Sequence, residues 1–245
     1  MSTYYTPTEI HAISQDVLRV YPAARIQREY LRFMWRGVGL PQARVTRDHL
    51  CSPLQSAVRS RSKKQLLDAA NDIHDWGFGQ PVPNLVLGAS NFLPALLEVL
   101  AAFDGTTPAY TSMQESTLVA LLSIPGLGIA TVSKWICFMD QSRYGIFDSR
   151  VSIALRDVQL QDVRAFPVMG RRPLVGKQAF SSDTQILSSS TRTARAYLDY
   201  LAVLSSVARA VRLDAAEVEM ALFMLGDVWA DGQPPLRSLR RGSWK

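Results

Sequence analysis

"IPGLGIATVSKWICFMDQSRYGIFDSRV", residues 124–151, decides the reading of the chain. A Pro-Gly-Leu-Gly turn stands before an apolar helix. Beyond that helix a single carboxylate, Asp148, lies between Ile146-Phe147 and the apolar residues Val151, Ile153, Ala154 and Leu155. Glycines accept positive φ and let another backbone come close, so Gly126 and Gly128 can join two helices tightly. The second helix then presents unpaired N–H groups and the positive end of its dipole, which suits a phosphate oxygen. Such a contact positions a nucleic-acid backbone without reading its bases. A plain interhelical turn is the alternative for the same four residues.

Asp148 also has two readings. "DSRVSIAL" opens a helix, and an aspartate there is an N-cap worth about 1 kcal/mol. The same geometry, beside a phosphate-binding hairpin, lets a carboxylate stabilise positive charge on a deoxyribose as its base departs and orient the attacking water.

Outward from this stretch the helical signals continue. Thr6-Pro7-Thr8-Glu9 is a capping box with proline in the first turn, followed by Ile10, Ile13, Val17 and Tyr21 at helical spacing. Ile26, Tyr30, Phe33 and Met34 suggest a second apolar face. Residues 37–63 are irregular: "VGLPQARVTRDHLCSP" reads as turn or loop and "RSRSKK" as a basic run. Leu66, Leu67, Ala70, Ile73 and Trp76 form a helix stopped by Gly77, and "QPVPN" breaks the chain. A helix over 92–103 takes Asn91 as N-cap with Pro94 in its first turn. Ser112–Glu115 forms a second box that opens a helix to Leu122. Ser190 or Thr191 caps a helix to about residue 210, and Asp214–Glu217 caps the last. Residues 164–185 form a long basic loop, and 232–245 a basic tail. Period-two alternation is almost missing, internal repeats are not visible, and the fold class is all-α.

At 245 residues and 47% hydrophobic content the chain can bury a core as one unit. With 27 Lys+Arg against 21 Asp+Glu, the net charge of +6 favours a polyanionic partner. Two cysteines, Cys51 and Cys137, are too few for a four-thiolate cluster or an all-cysteine zinc site. No secretory signal opens the chain and no window is long and apolar enough to span a bilayer, so the expectation is a cytoplasmic protein without membrane association, nucleoid-associated in a bacterium.

Residues 112–156 resemble the core of the helix-hairpin-helix DNA glycosylase superfamily, whose hallmark is Leu-Pro-Gly-Val-Gly, a helix, a Gly/Pro-containing turn and a catalytic aspartate. Here Ile124-Pro125-Gly126-Leu127-Gly128 leads, 20 positions beyond Gly128, to the end of Tyr144-Gly145-Ile146-Phe147-Asp148. The resemblance implies a two-lobed all-α fold of two packed helical lobes in a single unit over 1–245. It implies that Gly126 and Gly128 contact the DNA backbone and that Asp148 is the essential carboxylate. Members that form a Schiff base carry lysine two residues after the second hairpin glycine; here that residue is Ala130. The chain thus resembles members that use water and leave an abasic site, closest to the 8-oxoguanine and alkylated-base glycosylases without an iron–sulfur cluster.

Lys134 lies one helical turn beyond Ala130 on the same face, so a bifunctional glycosylase/lyase using Lys134 stays open. Arg143 and Arg150 are candidate phosphate contacts. A flipped base needs aromatic walls, for which Trp76, Phe78 and Trp135 are the candidates, beside His74 and Asp75. The expected partner is double-stranded DNA with a damaged or modified base, bound by a monomer with no cofactor and no metal. Oxidised purines, alkylated purines and hypermodified phage bases all remain open, hence either repair or defence. A non-catalytic helix-hairpin-helix DNA-binding module, with Asp148 only a cap, is the alternative of a different class.

Overall fold

The computed structural model describes residues 5–105, 111–169 and 189–226. Among them eleven α-helices carry the fold: α1 (Pro7–Val20), α2 (Ala23–Leu31), α3 (Leu40–Ser60), α4 (Lys63–Phe78), α5 (Asn84–Leu87), α6 (Phe92–Ala102), α7 (Ser112–Leu122), α8 (Ile129–Cys137), α9 (Ser149–Ala154), α10 (Ser190–Val211) and α11 (Ala215–Leu225). Two short antiparallel hairpins interrupt them, β1 (Met34–Trp35) with β2 (Val38–Gly39) and β3 (Gln159–Leu160) with β4 (Val163–Arg164). The fold is all-α, as the caps and spacing predict. The expected tail over 232–245, and residues 170–185 of the expected long loop, lie outside the described residues.

Helix α10 is the centre of the arrangement. Its buried positions include Tyr197, Leu198, Tyr200, Leu201, Leu204 and Val207, so apolar side chains cover most of its circumference. It packs against α1, α2, α7, α8 and α11, while α11 also packs against α2 and α9. On the other side α3 packs on α4, α4 on α6 and α8, and α6 on α7. One large buried cluster runs through both sets of helices, from Ile13 and Ile26 through Leu100 and Trp135 to Leu222.

Four local expectations are corrected. Residues 40–60, within the stretch expected to be irregular and read as turn or loop up to Pro53, form the 21-residue helix α3. Pro41 falls in the first turn, where a missing N–H is harmless. Pro53 lies inside the helix, which costs about 3 kcal/mol. Burial of Leu54, Ala57 and Val58 next to α4 offsets it. Helix α4 runs through Gly77 and stops at Gly79, whose left-handed backbone (φ +76°) ends it. The boxes and caps of α7 and α10 sit one residue earlier than expected, with Thr111 and Ser189 as the N-caps. Asn91 occupies the N-cap of α6, but its side chain makes no capping hydrogen bond. The boxes at Thr6 and Asp214 form as read: Glu9 accepts from the Thr6 amide at 2.7 Å and Glu217 from the Asp214 amide at 3.0 Å.

Candidate active site

Helices α7 and α8 meet through a turn held from below and bare above. Ile124 and Leu127 are buried and tie it to the core, whereas Pro125, Gly126 and Gly128 are exposed. Gly126 has φ +88°, a conformation that side-chain-bearing residues rarely adopt. Gly128 is the extended N-cap of α8, and its carbonyl accepts from Thr131 and Val132 at 3.0 and 3.1 Å. No side chain caps that helix start. The amides of Ile129 and Ala130, which donate to no carbonyl among the described residues, are therefore available to an anion. Ser123 donates to Ser190 at 3.2 Å, which brings the start of α10 beside the turn. Exposed Arg192 stands on that first turn of α10 and has no ion pair among the described residues.

The segment after α8 is fixed from several sides. Ser133 accepts from the Phe147 amide at 3.0 Å, Tyr197 donates to the Gly145 carbonyl at 3.1 Å, and Tyr200 donates to the Ile146 carbonyl at 3.0 Å. A Cβ on Gly145 would fall 2.5 Å from Leu204, so α10 and this backbone touch at a distance that only glycine permits. Half-buried Asp148 emerges from this clamp as the N-cap of α9. Its Oδ1 accepts from the amides of Arg150 and Val151 at 2.9 and 3.1 Å. Its Oδ2 has no hydrogen-bond partner among the described residues. The capping role is thus real, and it consumes one oxygen of two.

Lys134 is buried on α8. Its Nζ donates to the Ala130 carbonyl at 2.9 Å and lies 4.4 Å from the ring centre of Phe78. The stem runs over Gly77, where an added Cβ would come within 2.6 Å of Cε. The missing Cβ of Gly77 leaves the lysine stem that space. Burial pulls the ammonium below the ordinary lysine range; the negative charges of Asp148 and then Glu219 oppose that pull. Phe78, partly exposed, also meets the His74 ring at a tilt of 39°, with ring centres 4.6 Å apart.

Beneath this lies a buried polar group absent from the sequence reading. Arg47, 1% exposed, donates through Nη2 to Glu219 at 2.9 Å and to the Cys137 sulfur at 3.1 Å, and through Nε to Gln141 at 2.9 Å. Burial pushes the Cys137 thiol up to about 12, so it remains protonated. Arg47 also lies over the rings of Trp76 and Phe138.

The aromatic wall differs in part from the expected set. Trp76 is half-buried between Phe138 and Trp35, with ring centres 5.1 and 6.5 Å away. Trp35 meets Phe223 edge-on at 5.2 Å, and the Arg150 guanidinium lies over Phe223 and Trp35 at 4.3 and 5.3 Å. Trp35 and Phe223 were not singled out by sequence. The signal for Trp35 was "WRGV", a two-residue turn with positive φ at Arg36 and Gly37 that pairs Trp35 with Val38. Trp135 is corrected from wall to core: it is fully buried against Phe92, and its indole donates to the Ala70 carbonyl at 3.1 Å. Arg143 is not brought to this group; it donates to the Gly105 carbonyl and lies over Tyr144. Contacts and charge therefore link Asp148, Lys134, Arg150, Trp76 and Phe78. Among the described residues no group of three or more His, Cys, Asp or Glu side chains could hold a metal ion, and no helix is long and apolar enough to cross a membrane.

A family model described as "Putative 8-oxoguanine DNA glycosylase OGG-like protein" matches residues 18–223, which include the turn, Lys134, Asp148 and the aromatic wall. No curated protein and no solved structure matches the chain.

Proposed function

Because the chain belongs to this family of OGG-like DNA glycosylases, we propose that it hydrolyses the N-glycosidic bond of a damaged or modified base in double-stranded DNA and leaves an abasic site. The observation that carries this reading is Asp148: one carboxylate oxygen is locked to the start of α9, the other is uncommitted, and its charge acts on Lys134, whose Nζ reaches back to the first turn of α8. The turn at 125–128, with the first-turn amides of α8, holds a backbone phosphate. The extruded base enters between the aromatic side chains of Trp76, Phe78 and Trp35. As the base leaves, the Asp148 carboxylate stabilises the positive charge growing on the deoxyribose and orients the water that attacks C1′. The electron pair of the broken bond departs with the base, and as the water oxygen bonds to C1′ its proton passes to the Asp148 carboxylate and from there to the departed base anion.

The test incubates the protein and Asp148→Asn with duplexes carrying 8-oxoguanine, alkylated purines or no lesion, and with phage DNA containing hypermodified cytosines. Mass spectrometry identifies any free base. Release by the wild type and not by the variant supports the reading and separates repair from defence substrates. A variant that matches the wild type, or a wild type that binds duplexes and releases nothing, favours the non-catalytic DNA-binding module.

A second reading rests on Lys134. Its Nζ reaches back to the level of Ala130, the place of the Schiff-base lysine in bifunctional members, and burial favours the neutral amine that such chemistry needs. The Phe78 ring over Nζ opposes it unless that ring moves.

A further inference from the structure

The connector between α4 and α6 runs from one part of the site to the other. It leaves Phe78 above Lys134, and its helical turn α5 packs on the hairpin, where a Cβ on Gly126 would meet Val86 at 3.3 Å and Leu85 at 3.4 Å. The connector is stiff. Pro81 and Pro83 restrict its backbone, Asn71 accepts from the Val82 amide at 3.0 Å, His74 Nδ1 lies 2.7 Å from the Gln80 carbonyl, and Val82 and Val86 are buried.

On this anchored segment Leu85 is 66% exposed. Leu31 and Val163 are comparably exposed, but Leu85 is the one that borders the exposed Gly126 turn. Burial of its neighbour Val86 keeps Leu85 on the outside. A single exposed leucine is ordinary on a protein surface. A leucine held rigidly against a phosphate-binding turn, on the segment that also carries the base-pocket phenylalanine, is placed for a specific task. Extruding a nucleotide leaves a gap in the stack, and apolar side chains fill such gaps with no polar group to desolvate and, when pre-ordered, little entropy to lose.

We propose that Leu85 is the wedge that enters the duplex and occupies the space vacated by the flipped nucleotide. This rests on the glycosylase reading and adds to it the side chain that keeps the nucleotide out.

The probe is a duplex with one tetrahydrofuran abasic analogue opposite 2-aminopurine, titrated with the full chain. Wild-type binding is expected to change the 2-aminopurine fluorescence. Leu85→Ala is expected to bind about tenfold more weakly and to leave that fluorescence near its free-duplex value, and Leu85→Met to restore both. Exposure of Leu85 predicts an unchanged Tm for the alanine variant, which serves as the folding control. An alanine variant with wild-type affinity and fluorescence overturns the proposal, as does wild-type binding without a fluorescence change. Both results leave base release, and its loss in Asp148→Asn, untouched. Absence of duplex binding together with absence of base release overturns the glycosylase reading and the wedge with it.

Discussion

The ammonium of Lys134 reaches one helical turn back along α8 to the carbonyl of Ala130, 2.9 Å away. Helical side chains tilt toward the N-terminus, so a lysine four positions late delivers its nitrogen where an earlier one would stand. Hydrolysis through Asp148 predicts that Lys134→Met keeps base release within about tenfold of wild type and that borohydride traps no adduct on abasic DNA. An adduct formed by the wild type and lost in the variant would replace hydrolysis by the lyase reading.

Asp148 caps α9 and, in the proposed reaction, is also the working carboxylate, and two substitutions separate these roles. Asn retains a capping oxygen, so Asp148→Asn should keep stability while lowering single-turnover base release by about 100-fold or more. Asp148→Ala should lose the same activity and, in addition, about 1 kcal/mol of stability in urea unfolding.

The Gly126 turn combines positive φ with close contact to Val86 and Leu85. Gly126→Ala should cost about 1 kcal/mol of stability and weaken binding to damaged and undamaged duplexes alike, since a backbone contact carries no base information. Fluorescence anisotropy at two salt concentrations measures this; weakening confined to one lesion would contradict the assignment.

The Arg47–Glu219 pair is buried at both ends, with side chains 1% and 3% exposed. Removing one charge strands the other. Arg47→Met should therefore destabilise the fold by on the order of 3–5 kcal/mol, and the double variant Arg47→Met, Glu219→Leu should recover most of that in equilibrium unfolding.

Asp199 supplies the pH dependence. Burial pushes its carboxyl up to about 7, while its Oδ1 accepts from the Tyr5 amide at 3.2 Å. A raised acid is most compatible with the fold when protonated, so its stabilising share is full below the unfolded value near 4 and is lost as pH climbs through 7. Asp199→Asn should match the wild type at pH 4 and exceed it by about 2 kcal/mol at pH 8, measured as Tm across pH.

Local chemistry made the helices legible: Thr6 with Glu9 and Asp214 with Glu217 announce helix starts through contacts three residues apart. Helix α3 was hidden because Pro41 and Pro53 read as breakers, and the burial that overrides Pro53 comes from other helices. Of the candidate site, the hairpin and Asp148 lie within one short stretch and were readable together. The wall was readable only in part: Trp76 and Phe78 stand close together in the chain, whereas Trp35 and Phe223 join Trp76 across some 190 residues, and spacing along a chain carries no record of such a meeting. Trp135 shows the reverse error: adjacent to Lys134 in sequence, it points about 100° further round α8 and is fully buried in the core.

The hydroxyls of Tyr197 and Tyr200, which hold the carbonyls of Gly145 and Ile146, belong to a helix more than forty residues downstream. A chain emerging from the ribosome has therefore already made its turn and its aspartate long before α10 exists to fix them. The nascent polypeptide carries the chemical groups in unset positions, and the clamp around the Asp148 segment closes only after α10 has been synthesised and docked.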